Sequence, residues 1–383
     1  MGDWVGTWGA SPAAPVHFVP LEIMPAPAPI QGTLRHRLRI SAGGLALRLR
    51  LSNETGEKPL AIGGISIGLA AEAMAVRHGS LRRVSFGGQA EIVIPPGSSM
   101  ESDPIDLAVA PLGEVVVSIH LPSAWVLMPS EGAHKAFLSH RQDSLMSEAW
   151  SETDTVAVRP IVTGISVNPL SPTRVIVALG DSVTDGGVCD AREGRSWTDI
   201  LARRLHERGG TTPYAVVNAG IGGNRLIGTF IGAPALARLD RDVFATPGVT
   251  HLIVLEGIND IGVGGRTVEG VTHPFVTPEQ IVAAYVEIIE RCHERNVKVI
   301  GGTLLPFRGA FFFSDAKEVV RQSVNARIRG AGAFDGVIDF ERMVQDPRDP
   351  GALRPEFDTG DHLHPNAAAY RAMGHAIDLG LFE

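Results

Sequence analysis

The sequence predicts two successive architectures: an all-β sandwich or jelly-roll domain over residues 1–170, then an α/β domain over residues 171–383 whose central parallel sheet lies between layers of helices. Three observations predict this. Up to about residue 167, apolar residues recur with period two in short runs separated by Gly, Pro, Ser and Asn, with almost no helical pattern of useful length. At 168–173 the stretch NPLSPT breaks the pattern and reads as a linker. Beyond it, apolar runs alternate with helical patterns, the order expected of a parallel sheet covered on both faces. A chain of 383 residues also exceeds what one hydrophobic core usually serves, so two domains are expected.

In chain order, the first 30 residues carry Trp4 and Trp8 and then Pro20, Pro25, Pro27 and Pro29, which predicts an extended, polyproline-like segment. Its tryptophans either line a ligand site or anchor the segment across its own domain, the second being the simpler reading. At 34–40, LRHRLRI places Leu34, Leu38 and Ile40 on one face and Arg35, Arg37 and Arg39 on the other. LALRLRL at 45–51 repeats the pattern across Gly43 and Gly44. The pair reads as a hairpin with one buried face, the arginines forming its solvated face. Further strands are expected at 62–69, 81–86, 91–94, 114–121, 135–140 and 156–167. After the linker the expectations are a strand at 175–179, a helix at 197–208, and strands at 214–217 and 251–255. A helix follows at 278–295, introduced by Thr277 as N-cap, Pro278 and Gln280 in a capping box. A strand at 297–304, a helix at 315–329, a strand at 336–340 and a helix at 367–379 complete the chain, with no internal repeat across the two halves.

Composition narrows the function classes. Apolar residues make up 44% and charged residues 20%, an ordinary globular balance, and the net charge of −8 offers no basic face for nucleic acid or anionic lipid. No run approaches the roughly 20 apolar residues a membrane-spanning helix needs. The opening MGDWVGTWGASPAAP has neither a basic n-region nor an apolar h-region, so no signal peptide is expected in this chain; the compartment stays open. Cys189 and Cys292 are too few and too far apart for a metal ligand set and read as free thiols. No metal and no cofactor are expected.

The chemistry-bearing residues follow the strands. In a parallel sheet the carboxyl ends of the strands share one edge, so residues just beyond them converge however distant in sequence. Here those residues are Gly180-Asp181-Ser182, the run from Asn218 to Asn224 (NAGIGGN), Gly257-Ile258-Asn259-Asp260, and the run from Asp361 to Asn366 (DHLHPN). Together they supply what acyl transfer needs. A serine hydroxyl requires a base, commonly an imidazole, to remove its proton, and the imidazole requires an acceptor on its other nitrogen. A tetrahedral oxyanion requires converging N–H donors, which glycine loops and asparagine side chains provide.

These four blocks resemble the GDSL, or SGNH, serine hydrolase family of esterases and lipases over residues 171–383, with Val183 standing where the name-giving motif has Leu. Each block is weak alone; their ordered conjunction is specific. The front half is similar to the β-rich domain of one subgroup whose N-terminus carries a comparable Trp-Val-Gly-Thr-Trp stretch. The resemblance implies a cofactor-free enzyme with an SGNH-type three-layer domain, in which Ser182 is the nucleophile, His364 the base and Asp361 its orienting acceptor. It further implies that the oxyanion is held by the N–H groups of Ser182 and Gly223, with Gly222 the lesser choice, and by the Asn259 side chain. Asp181 and Asp260 read as acceptors that fix turns.

Other assignments compete. Gly64-Ile65-Ser66-Ile67-Gly68 fits G-x-S-x-G, but that elbow needs a strand turning sharply into a helix, and Ser66 sits in mid-strand alternation. His362 and His364 with Asp361 lack the further ligands of a metal site, and His362 reads as a loop residue near the pocket. His251, His293 and His375 read as packing or surface residues. The substrate expected is a small-molecule or carbohydrate ester: short-chain acyl, aryl or acetylated sugar. Acyl transfer to an alcohol would use the same residues, and a non-catalytic glycan-binding protein with an inactive rear domain is the rival class. Phe311, Phe312 and Phe313 read either as an apolar lip of the site or as packing under the front domain. Oligomeric state is not readable.

Overall fold

The structure, a computed structural model, describes residues 4–18, 26–130, 133–140, 142–151, 154–186, 196–330, 332 and 334–383. The chain divides into two compact units, one of Met1–Arg174 with Arg208–Val217, the other of Val175–Glu207 with Asn218–Glu383. No helix among the described residues is long and apolar enough to cross a membrane.

The front unit is built of antiparallel sheets. One has four strands in the order Val5–Gly9, Val162–Val167, Leu47–Ser52, Ser99–Glu101; another has six, in the order Thr155–Val156, Ala136–Ser139, Pro29–Arg39, Glu114–Val126, Gly64–Leu69, Arg82–Arg83; Leu60–Ile62 and Ile92–Ile94 form a separate pair. The alternation at 34–51 is present, with Leu34, Leu38, Leu47, Leu49 and Leu51 all buried. The expected hairpin is not. Pro29–Arg39 pairs with Glu114–Val126 and Ala136–Ser139, whereas Leu47–Ser52 pairs with Val162–Val167 and Ser99–Glu101, so the segment around Gly43 and Gly44 carries the chain from one sheet to the other. Period two fixes which face of a strand is buried, but it does not fix the partner. The opening segment, expected to be polyproline-like, supplies an edge strand at Val5–Gly9. Trp4 receives the Arg48 guanidinium 4.4 Å above its ring, the packing role favoured for it.

The arginine face is likewise not uniformly solvated. Arg35 is fully buried beneath the short 3₁₀ helix Gln142–Met146 and its flanks; its Nε donates to Ser118 Oγ at 2.8 Å, its terminal nitrogens reach the carbonyls of Met74 and Ser147, and its guanidinium stacks on Trp150. Burial lowers its pKa to about 10. A charge survives there because backbone carbonyls from distant segments accept its protons. Ser66 faces the same cover and donates to the Leu145 carbonyl at 2.6 Å, which accounts for the decoy motif as a satisfied strand residue.

A five-stranded sheet is formed by β1 (Arg174–Gly180), β2 (Tyr214–Gly220), β3 (Val249–Leu255), β4 (Lys298–Gly302) and β5 (Gly336–Ile338), in the spatial order β2-β1-β3-β4-β5. The pairs β1/β3, β3/β4 and β4/β5 are parallel. This order puts a topological switch beside β1, where α/β sheets hold their ligands. Val175 to Leu179 are fully buried, as both covered faces require. The helices are α1 (Ser182–Asp185), α2 (Trp197–Arg208), α3 (Ile258–Val263), α4 (Pro278–His293), α5 (Asp315–Arg329), α6 (Phe340–Val344) and α7 (Ala367–Ala376). α2 and α5 coincide with the sequence expectation. α4 opens on the expected capping box, Thr277 Oγ1 accepting from the Gln280 N–H and Gln280 Oε1 from the Thr277 N–H. α1, α3 and α6 are too short for periodicity to reveal. Cys292 is a buried free thiol whose pKa burial raises to about 12; Cys189 lies outside the described residues.

Candidate active site

β1 ends at Gly180 with no room for a side chain: a Cβ there would lie 2.5 Å from the Leu255 carbonyl oxygen. The chain then turns through Asp181, which caps α1 by accepting from the Val183 N–H at 2.9 Å, and presents Ser182 as the first helical residue, 6% exposed. At that position the Ser182 N–H has no intrahelical acceptor.

His364 arrives from the other end of the chain. Asn366, the N-cap of α7, accepts from the N–H groups of Ala368 and Ala369 and sends its own amide to the carbonyls of Glu356 and Asp358, pinning the intervening loop. Within that loop Asp361 Oδ1 accepts from the N–H groups of Leu363 and His364 and from Thr359 Oγ1, and Oδ2 lies 2.5 Å from His364 Nδ1. His364 Nε2 lies 2.8 Å from Ser182 Oγ. Partial burial alone would raise the Asp361 pKa, but the hydrogen bond and charge of His364 and the two backbone N–H groups outweigh it and hold the carboxyl well below its ordinary range. An ionised Asp361 can only accept, so Nδ1 carries the proton and Nε2 accepts from the serine hydroxyl.

Gly223 adopts φ +71°, and a Cβ there would stand 2.5 Å from Ile231 Cδ1, so both conformation and space call for glycine. Asn259, second residue of α3, is 7% exposed, and its side-chain amide donates to the Asn224 carbonyl at 2.9 Å, a bond that uses one of its two amide hydrogens. Asp260 accepts from the N–H groups of Leu226 and Ile227 and lies 3.4 Å from Arg225 Nε, a turn-fixing position; burial raises its pKa despite these partners. Thus Ser182, Asp361 and His364 form one hydrogen-bonded chain, with Gly223 and Asn259 linked to each other through Asn224. Such an arrangement can remove a hydroxyl proton and offers polar hydrogens for a developing oxyanion.

His362 sits beside this loop with φ +60°, its Nδ1 2.6 Å from Asp358 Oδ2, a loop residue with its own carboxylate. Of the three phenylalanines only Phe311 is exposed. Phe312 is buried on Phe307 and against Gly262 of α3, and Phe313 packs on Phe307. Among the described residues no group of three or more His, Cys, Asp or Glu could hold a metal ion. Sequence reasoning did not single out Asn224 as a link or Arg238 at all; a lone arginine among Ala235, Leu236, Ala237 and Leu239 was the available signal.

Fold and site together define the class, an SGNH-type α/β/α hydrolase. Residues 178–372, about half of the chain, match the GDSL-like Lipase/Acylhydrolase family, and the chain belongs to that family. Three solved structures are similar to about half of the chain. A GDSL-like lipase from Bacteroides thetaiotaomicron VPI-5482 is 21% identical, covering 55% of this chain and 88% of its own, with TM-score 0.40. An α/β hydrolase from the metagenome of Lake Arreo, Spain, is 20% identical, covering 54% and 93%, with TM-score 0.39. An acetyl xylan esterase is 20% identical, covering 53% and 96%, with TM-score 0.39. None of the curated proteins matches the chain.

Proposed function

We propose that this chain hydrolyses carboxylic esters through an acyl-enzyme, with Ser182 as nucleophile, His364 as general base and then acid, and Asp361 as the acceptor that orients the imidazole. The observation that carries this reading is the continuous chain from Ser182 Oγ through His364 to Asp361 Oδ2, at 2.8 Å and 2.5 Å. His364 Nε2 takes the serine proton as Oγ bonds to the ester carbonyl carbon. The oxyanion is held by the N–H groups of Ser182 and Gly223 and by the second Asn259 amide hydrogen. Collapse breaks the ester C–O bond, and the departing alcohol takes the proton from His364. Water then attacks the acyl-enzyme, giving its proton to His364, and the acid leaves as Oγ recovers that proton. In this reading residues 171–383 perform catalysis and residues 1–170 are an accessory domain.

A fluorophosphonate probe tests the nucleophile. Wild-type protein is expected to be labelled once, and Ser182→Ala not at all; labelling that survives the substitution would sink the assignment. Asn259→Ala, which removes one oxyanion donor worth about 3 kcal/mol, is expected to lower kcat about a hundredfold or more with little change in KM. Steady-state kinetics on p-nitrophenyl acetate reads this, and a pure KM effect would place Asn259 elsewhere. The substrate class proposed is a short-chain acyl, aryl or acetylated-sugar ester. A chain-length series of p-nitrophenyl esters beside acetylated sugars discriminates among these by kcat/KM.

A further inference from the structure

We propose that Arg238 is a positioning residue that holds the oxyanion-binding groups in register, an inference that rests on the roles given above to Ser182, Gly223 and Asn259. Arg238 is 1% exposed, in the turn before the π-helical segment Asp240–Phe244. Its guanidinium has five N–H donors in a rigid fork, and their acceptors come from the elements on which the site hangs. One terminal nitrogen donates to the Gly180 carbonyl, the last residue of β1, at 3.0 Å. The other donates to the Ala219 carbonyl near the end of β2 at 2.6 Å, and to Asp242 Oδ2 at 2.9 Å. Nε donates to Asn224 Oδ1 at 3.0 Å. Glu256, the residue just after β3, places its Oε2 3.7 Å away.

Asn224 extends the clamp. It is fully buried; its side-chain amide donates to the carbonyls of Ile231 and Ala233, and its own carbonyl receives the Asn259 amide. Ile231 is the residue whose side chain crowds Gly223. One side chain therefore bonds to the strand end two residues before Ser182, to the strand end that leads to Gly223, and, through Asn224, to Asn259. Cohesion alone does not call for a buried arginine here, because a well-packed apolar side chain can replace a buried ion pair without loss of stability. An apolar side chain could not bind two strand-end carbonyls and an amide oxygen at once. Oxyanion donors must stand within about half an ångström of the productive geometry, and a misplacement of about 1 Å can cost about a hundredfold in rate.

Arg238→Lys keeps the charge but loses the fork, and is the test. It is expected to lower kcat for p-nitrophenyl acetate about 10- to 100-fold with KM within about threefold, and to weaken a trifluoromethyl ketone inhibitor by a similar factor. The discriminating readout is a double-mutant cycle: in an Asn259→Ala background the same substitution is expected to cost clearly less than in the wild type, because one of the three groups it positions is gone. Equal losses in both backgrounds, or unchanged kcat, would overturn the inference. Should Arg238→Lys fail to fold, Asn224→Ser, which cuts the link between Arg238 and Asn259, takes its place in the cycle, and the same two results would overturn the inference. Ester hydrolysis undiminished in Ser182→Ala would instead overturn the underlying reading of the site. Dependence on Ser182 together with full activity in Arg238→Lys would overturn only the role of Arg238.

Discussion

Replacing His364 with alanine is expected to lower kcat on p-nitrophenyl acetate by about a millionfold while leaving KM within a few-fold. In the proposed mechanism two functions would disappear together: the base that removes the Ser182 proton across 2.8 Å, and the acid that returns it to the leaving alcohol. Asp361 cannot substitute for the base. Its Oδ1 is occupied by two backbone N–H groups and the Thr359 hydroxyl, and its depressed pKa makes it a poor proton acceptor. The oxyanion donors remain, so a residual rate above the uncatalysed reaction is expected, on the order of a thousandfold. Steady-state kinetics beside a circular-dichroism spectrum checks this; a folded variant that keeps more than about one part in a thousand of wild-type kcat would remove His364 from the mechanism.

A large stability effect is expected from a single substitution away from the site, at Glu341. This carboxylate, second residue of α6 and 2% exposed, accepts from Arg321 at 2.6 Å, Gln322 at 2.9 Å, Asn325 at 3.0 Å and Arg329 at 2.5 Å. Arg321 is fully buried and shares its remaining donors with Glu318 and the Leu304 carbonyl. Glu341→Ala strands buried donors and leaves the Arg321 charge half compensated, at a cost of about 3 kcal/mol. For a unit of this size that corresponds to a fall in Tm of about 10 °C by scanning calorimetry. The pH dependence has a definite sign. Burial would raise the Glu341 pKa, but Arg321 and Arg329 outweigh burial and hold it below the ordinary glutamate value. Its contribution is then fully present above about pH 4.3, the unfolded value, and is lost as pH falls through the lowered folded value. Wild type and variant are therefore expected to converge in acid. A gap that stays constant from neutral pH into acid would mean that Glu341 acts through packing and not through charge.

Much of this was legible locally. The turn chemistry after β1, β2 and β3 marked the blocks that hold Ser182, Gly223 and Asn259, and the family resemblance singled these residues out together with Asp361 and His364; in the structure His364 meets Ser182, and Asn259 meets the carbonyl next to Gly223. Thr277, Pro278 and Gln280 announced α4, and the helical pattern marked α2 and α5. These signals survive in a linear reading because caps, turns and helical faces are made by residues within about four positions of one another. α3 was missed because six residues are too few to display a period.

What the sequence by itself determined about this protein is its succession of architectures, its family and its candidate site residues. Only the tertiary structure decided the strand partners of 34–51, the burial of Arg35, and the placing of Arg238 beneath the site. The reason is the same in each case. A strand's face is written in its own alternation, but its partner is chosen by segments more than a hundred residues away. Likewise a buried guanidinium is tolerated where acceptors from several such segments converge to take its hydrogen bonds.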